Sequence, residues 1–278
     1  MSLSTVLFLF LAHLGVGIAF TLALVSRQAG VKFFRFNAGL AAILIGVALA
    51  FRPSAADMLP TIVDASPIRR VALAALLASD AAIVIYWATV GRALSSARPA
   101  LLGVAIGAGS LAVVLQALVV VAGRALSLQL LTAVSFLSSA ALLGGACTAM
   151  ILGHWYLILP SMQVTHLQSI VKVHIVSMLV RVLVVGTAVF VAIGTPVLGQ
   201  PVAGQSFRHY ITSANGIFFW QRVLFGLAGP ALLSYLTWET AKIRSTQSAT
   251  GILYVDFFTV VVGEMLAKYL LLATRVPV

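Results

Sequence analysis

Apolar residues run along this chain in long blocks broken by short polar stretches, and the blocks are longer than a soluble helix needs. A helix that crosses the hydrocarbon core of a bilayer requires about 20 apolar residues, with a range of roughly 17–25. On that ruler the pattern predicts eight spans, over 5–25, 36–52, 69–91, 99–122, 129–154, 167–194, 215–238 and 252–273. Segments of alternating polarity, the mark of a membrane barrel, do not occur. Backbone polar groups in lipid must be satisfied within their own segment, so the spans are helices. The expectation is an all-α, polytopic integral membrane helical bundle, forming one domain over residues 1–278.

The connections between the blocks are short. After the first span, Arg27, Lys32 and Arg35 mix with Phe33, Phe34 and Phe36, as expected of a turn at headgroup level. Pro53, Pro60 and Pro67 with Asp57 and Asp64 read as an ordered, non-cytoplasmic loop before the third span. The longest connection, from Thr195 to Asn215, carries Pro196, Pro201, Arg208 and His209 and is too short to be a domain. Ser245 to Thr250 reads as a polar connection into the last span.

Small residues mark where helices can approach. Gly103 and Gly107 in the fourth span have the small-xxx-small spacing. The fifth span is richer still, with Ser138, Ser139, Ala140, Ala141, Gly144 and Gly145, a face suited to a neighbouring helix or a flat cofactor. Pro230 in the seventh span removes a backbone hydrogen bond and crowds the Gly226 carbonyl, so a kink is expected there.

Composition changes the picture only by excluding alternatives. The chain is 62% hydrophobic and 8% charged, against about 45–50% and about 25% in soluble domains. The net charge of +11 would point to nucleic acid in a soluble protein. Here no basic run is interleaved with aromatics, so nucleic acid is not expected as a partner; the bilayer and other membrane subunits are. The single cysteine, Cys147, excludes an intrachain disulfide and any cysteine-based metal cluster. The N-terminus lacks a basic region and an A-x-A site, which predicts a retained first helix rather than a signal peptide. No nucleophile elbow, P-loop, H-E-x-x-H or glycine-rich nucleotide fingerprint is present.

Loop charges give an orientation. The connections after spans 1, 3 and 7 hold Arg27, Lys32, Arg35, Arg92, Arg98, Lys242 and Arg244; the opposite side holds Arg52, Arg69, Arg70, Arg124, Arg208 and Arg275. By the positive-inside rule both termini are non-cytoplasmic. The expected location is a bacterial-type inner (cytoplasmic) membrane.

The candidate chemistry lies in the ionisable groups within the spans, which are costly there and mark sites of partnership or function. Glu264 and Lys268 stand at i, i+4 with the acid first, the favoured order for a helical ion pair. Glu264 is also a candidate proton-carrying carboxylate. His174, Ser177 and Arg181 share one face of the sixth span at i, i+3 and i+7. Asp80 in the third span could pair with Arg181 or with Arg222 in the seventh.

Three of the five histidines, His154, His166 and His174, flank one connection together with Trp155, Tyr156 and Lys172. Imidazole and phenol groups at that depth would suit the carbonyl oxygens of a quinone headgroup. A single haem b is conceivable through His13 with His174, or His154 with His174, with Arg181 or Arg222 on its propionates. His166 and His174 cannot share one iron, being about 12 Å apart along one helix. The eight-span plan with few loop residues resembles membrane-anchor or quinone-reactive subunits of respiratory and photosynthetic complexes, a likeness of architecture alone. The leading expectation is therefore an electron-transfer subunit contacting quinone near the cytoplasmic side. The alternatives are a proton-coupled transporter or channel and a structural anchor.

Overall fold

The computed structural model describes residues 3–53, 64–92, 96–158, 164–194 and 206–278. Asp57, Pro60, Pro160, Pro196 and Pro201 lie outside the described residues. The described chain is helical throughout, with no strand. Eight helices are long and apolar enough to cross a membrane. They are α1 (Leu3–Leu22), α2 (Gly30–Ala50), α3 (Ser66–Thr89), α4 (Arg98–Val120), α5 (Leu126–Ile158), α6 (Val164–Gly194), a composite seventh span, and α10 (Thr246–Thr274). The short α7 (Phe207–Thr212) precedes the seventh span, which is built from α8 (Ile217–Val223), a π-helical turn (Leu224–Ala228) and α9 (Gly229–Lys242).

Two helix starts differ from the sequence expectation. Lys32 and Arg35 ride on the opening turns of α2, and the run Thr246–Thr250 is the first turn of α10 rather than a loop. In both places polar residues at the helix mouth remain compatible with helical backbone at headgroup depth. The disruption expected from Pro230 appears as the π turn just before it. A widened turn accommodates the backbone group that proline leaves without a partner. On the aqueous side of α3, Asp64 accepts hydrogen bonds from the Ser66 backbone N–H (2.8 Å) and hydroxyl (2.9 Å). These two bonds, the backbone one foremost, hold its carboxyl below the usual carboxylate range.

The bundle is layered around α1 and α5. In its most apolar stretch α1 is 83% buried and α5 72%, against 28% for the seventh span. The outer faces carry large exposed apolar residues such as Leu183 and Phe190, as expected where lipid is the neighbour. Lipid tails are as apolar as leucine, so helix association must come from close packing and interhelical hydrogen bonds. Both occur on the α1–α5 seam. A Cβ on Gly144 would run into the backbone of Gly17, and one on Gly17 would strike the Ala140 carbonyl. Thr21 and Thr148 share a hydrogen bond of 2.6 Å across the same seam.

The glycines of α4 behave differently from their spacing. Nothing lies within 4 Å of where a Cβ would stand on Gly103 or Gly107. It is Gly109 that meets a neighbouring helix, against Ser79 and Val16.

Candidate functional site

The close α1–α5 seam carries the serine face of α5 inward, toward α6 and α10. There Glu264, fully buried on α10, gathers three cations from three helices. Arg181 on α6 forms a fork with it, Nε donating to Oε1 at 2.9 Å and Nη2 to Oε2 at 3.2 Å. Arg222 of α8 donates from Nη2 to Oε1 at 2.9 Å. Lys268, one turn along α10, approaches Oε2 at 3.4 Å and donates to the Ser139 hydroxyl at 2.5 Å. Ser139 in turn donates to Oε2 at 2.5 Å, so its hydroxyl links ammonium to carboxylate. The predicted Glu264–Lys268 pair is therefore present, as part of a larger cluster.

Arg181 is further held by Ser135, whose carbonyl and hydroxyl accept at 3.2 and 2.7 Å, and by the main-chain oxygen of Val278 at 3.4 Å. Arg222 is placed by the close approach of the π turn to α10. A Cβ on Gly263 would meet the Gly226 backbone, and one on Gly226 would meet the Arg222 guanidinium. Despite that confinement, Arg222 Nε and Nη1 are buried without a hydrogen-bond partner. Among the described residues the cluster sets three basic side chains against one acidic side chain, all within 2% of complete burial. Arrangements of this kind are expensive in a low-dielectric interior.

Asp80 does not belong to it. Both arginines expected as its partners are taken by Glu264. Asp80 sits half-buried on α3, a helix packed on α2 and α4, with its Oδ1 unpartnered.

One level toward the other membrane face, His174 on α6 meets Asp256 on α10, Nε2 to Oδ2 at 2.6 Å, with both side chains fully buried. The approach is off the line of a well-directed hydrogen bond, and Asp256 Oδ1 and His174 Nδ1 have no other partner. Buried Met178 and Val260 occupy the layer between this pair and the Glu264 cluster. Toward the opposite face, His13 on α1 lies edge-on to Phe136, ring centroids 4.7 Å apart, and the Lys268 ammonium lies 5.3 Å from the same ring. Gln116 on α4 stands beside His13. Both ring nitrogens of His13 and both amide atoms of Gln116 are buried, and none makes a well-directed hydrogen bond.

The remaining candidates fasten helix ends. His154 is exposed, and its Nδ1 lies 3.1 Å from the Tyr254 hydroxyl. His166 Nε2 lies 2.6 Å from Gln28 Oε1, tying α6 to the turn after α1. The Tyr156 hydroxyl accepts the Leu167 N–H at 3.2 Å, satisfying a donor in the opening turn of α6. The residues do not fit a bis-histidine haem: His13, His154 and His174 each have a separate neighbour in Phe136, Tyr254 and Asp256. Arg181 and Arg222, the expected propionate partners, are both committed to Glu264.

Sequence reasoning missed Asp256 and Ser139 as site residues. The signal for Asp256 was available: His174 and Arg181 are seven apart on one helix, and Asp256 and Glu264 eight apart on another running the same way. Ser135 and Ser139 are four apart, which puts them on one helix face, but nothing in a serine-rich stretch says which face meets a charge. Comparison with protein-family models finds none that matches, and comparison with curated proteins finds no related sequence.

Proposed function

We propose that this integral membrane protein translocates protons, with Lys268 and His13 as the groups that take them up and pass them on and Glu264 as the anion that holds the site together. The observation that carries this reading is the excess of basic over acidic side chains around Glu264, with a lysine joined to it through the Ser139 hydroxyl. Arginine keeps its proton at any accessible pH, whereas lysine can exist neutral. Lys268 is thus the member of the cluster whose proton can leave, and its departure lowers the net buried charge. Its hydroxyl neighbour both accepts and donates, which is what a relay requires. His13 and Gln116 extend the polar line toward the membrane face where α1 begins. The apolar layer at Met178 and Val260 separates that line from the His174–Asp256 pair, as an alternating-access or gated pathway needs. We place the protein in a bacterial-type energy-coupling membrane with both termini on the non-cytoplasmic side.

The test is proton uptake into proteoliposomes holding a pH-sensitive dye, driven by a potassium diffusion potential. Wild-type protein should raise the rate clearly above protein-free liposomes. His13→Asn is expected to lower it on the order of tenfold or more, since a positioned proton-transfer group contributes roughly 10²–10⁴ in rate. His154→Asn, which alters a group outside the line, should leave the rate unchanged. Equal rates in wild-type and protein-free liposomes would end this reading.

A second reading, the quinone-contacting subunit of an electron-transfer complex, is supported by the exposed His154–Tyr254 pair, which offers an imidazole and a phenol at one end of the bundle. Labelling by a photoreactive quinone that maps to α5 or α10 near this pair would favour it. Labelling indifferent to His154→Ala would count against it.

A further inference from the structure

We infer that the cavity at the membrane face where α1 begins is a binding site for an anionic amphiphile, one acidic headgroup carrying an acyl tail. The cavity has a volume of about 380 Å³ and is formed by the ends of α1 to α4. Ligand sites for small molecules run from about 300 Å³ upward. Arg52, Arg69 and Arg70 line it, and its remaining wall is largely apolar, with Phe8, Leu73 and Val120 among the contributors.

The second observation is independent of the arginines. Thr5 and Gln116 also line this cavity, and the Thr5 hydroxyl and both polar atoms of the Gln116 amide are buried without a well-directed hydrogen bond. Gln116 is only 5% exposed. A buried amide left unsatisfied is destabilising, so an occupant with hydrogen-bonding oxygens would relieve it.

The chemistry selects the ligand. Guanidinium groups bind phosphate and carboxylate in a fork, and they do so at the level of lipid headgroups. Ester or glycerol oxygens just below the acid would reach the Thr5 hydroxyl and the Gln116 amide. An acyl chain would follow the apolar wall into the bilayer. The site meets the proton pathway proposed above at Gln116, and lipid retention reads its occupancy whether or not protons move.

The test is native mass spectrometry of the full chain released from mixed micelles containing equal dioleoylphosphatidylglycerol and dioleoylphosphatidylcholine. The phosphatidylglycerol should be retained preferentially, and millimolar inorganic phosphate should not displace it. Removing a charge-assisted contact costs about tenfold in affinity, so Arg52→Gln with Arg70→Gln should lower retention by roughly that factor or more. Gln116→Leu should weaken it by a smaller factor. Arg124→Gln, on the same end of the bundle but outside the cavity, should leave it unchanged. Equal retention of the two lipids, displacement by inorganic phosphate, or retention unaffected by the double arginine substitution would each overturn the assignment.

Discussion

Glu264→Gln should sharply reduce the yield of folded, monodisperse protein and lower its melting temperature in detergent. The substitution keeps shape and one acceptor oxygen but removes the only acidic side chain touching Arg181, Arg222 and Lys268 among the described residues. Breaking a buried ion pair by deleting one partner costs about 3–5 kcal/mol, because the other charge is left uncompensated. Here three are left. The double variant Glu264→Gln with Lys268→Met should recover part of the loss, since it removes one of the stranded cations. A paired measurement of melting temperature and gel-filtration profile checks both statements. If Glu264→Gln melted with the wild type, the carboxylate would not be the group that holds these helices together.

The second large effect concerns backbone approach rather than charge. Gly144→Ala adds a single methyl group, yet it would drive a carbon into the Gly17 backbone on α1. Overpacking in a filled interior costs about 1–3 kcal/mol even where side chains can yield, and here the obstacle is main chain. The helices must separate, which pulls Ser135 and Ser139 away from Arg181 and Glu264 and weakens the charge cluster from a distance. Gly103→Ala and Gly107→Ala supply the contrast. Their added methyl groups meet nothing within 4 Å, and alanine is favoured over glycine in a helix by about 1 kcal/mol. They should be neutral or slightly stabilising. Thermal unfolding of the three variants side by side would show a large drop for Gly144→Ala alone.

These two predictions mark where the sequence was readable and where it was not. The eight apolar blocks announce their helices because bilayer thickness imposes a length that few other contexts demand. Glu264 with Lys268, and His174 with Arg181, could be placed on common faces because helical spacing alone decides that. Partners across helices could not be placed. Asp80 looked as suitable for Arg181 or Arg222 as any other acid, and only the packing of α3 on α2 and α4 removes it. The spacing of Gly103 and Gly107 is as regular as that of Ala140 and Gly144, but one pair faces open space and the other a helix. Which of two equally small faces is used depends on the arrangement of the whole bundle.

The histidines teach the same lesson. Clustered in sequence about one connection, His154, His166 and His174 have different neighbours in Tyr254, Gln28 and Asp256. His13, more than a hundred residues away, is nearer the charge cluster than His154 or His166, because α1 threads the centre of the bundle. Proximity along the chain was a poor guide where eight helices bring distant segments together.

The central claim is that a proton leaves and returns at Lys268. It is tested most directly by charge displacement on a solid-supported membrane after a rapid pH jump, comparing wild type with Lys268→Arg. Arginine retains the positive charge but cannot release its proton, so the variant keeps the charge that faces Glu264. The account predicts a transient current in the wild type and its loss in a Lys268→Arg protein of normal yield and melting temperature. A full-sized current in that variant would contradict it.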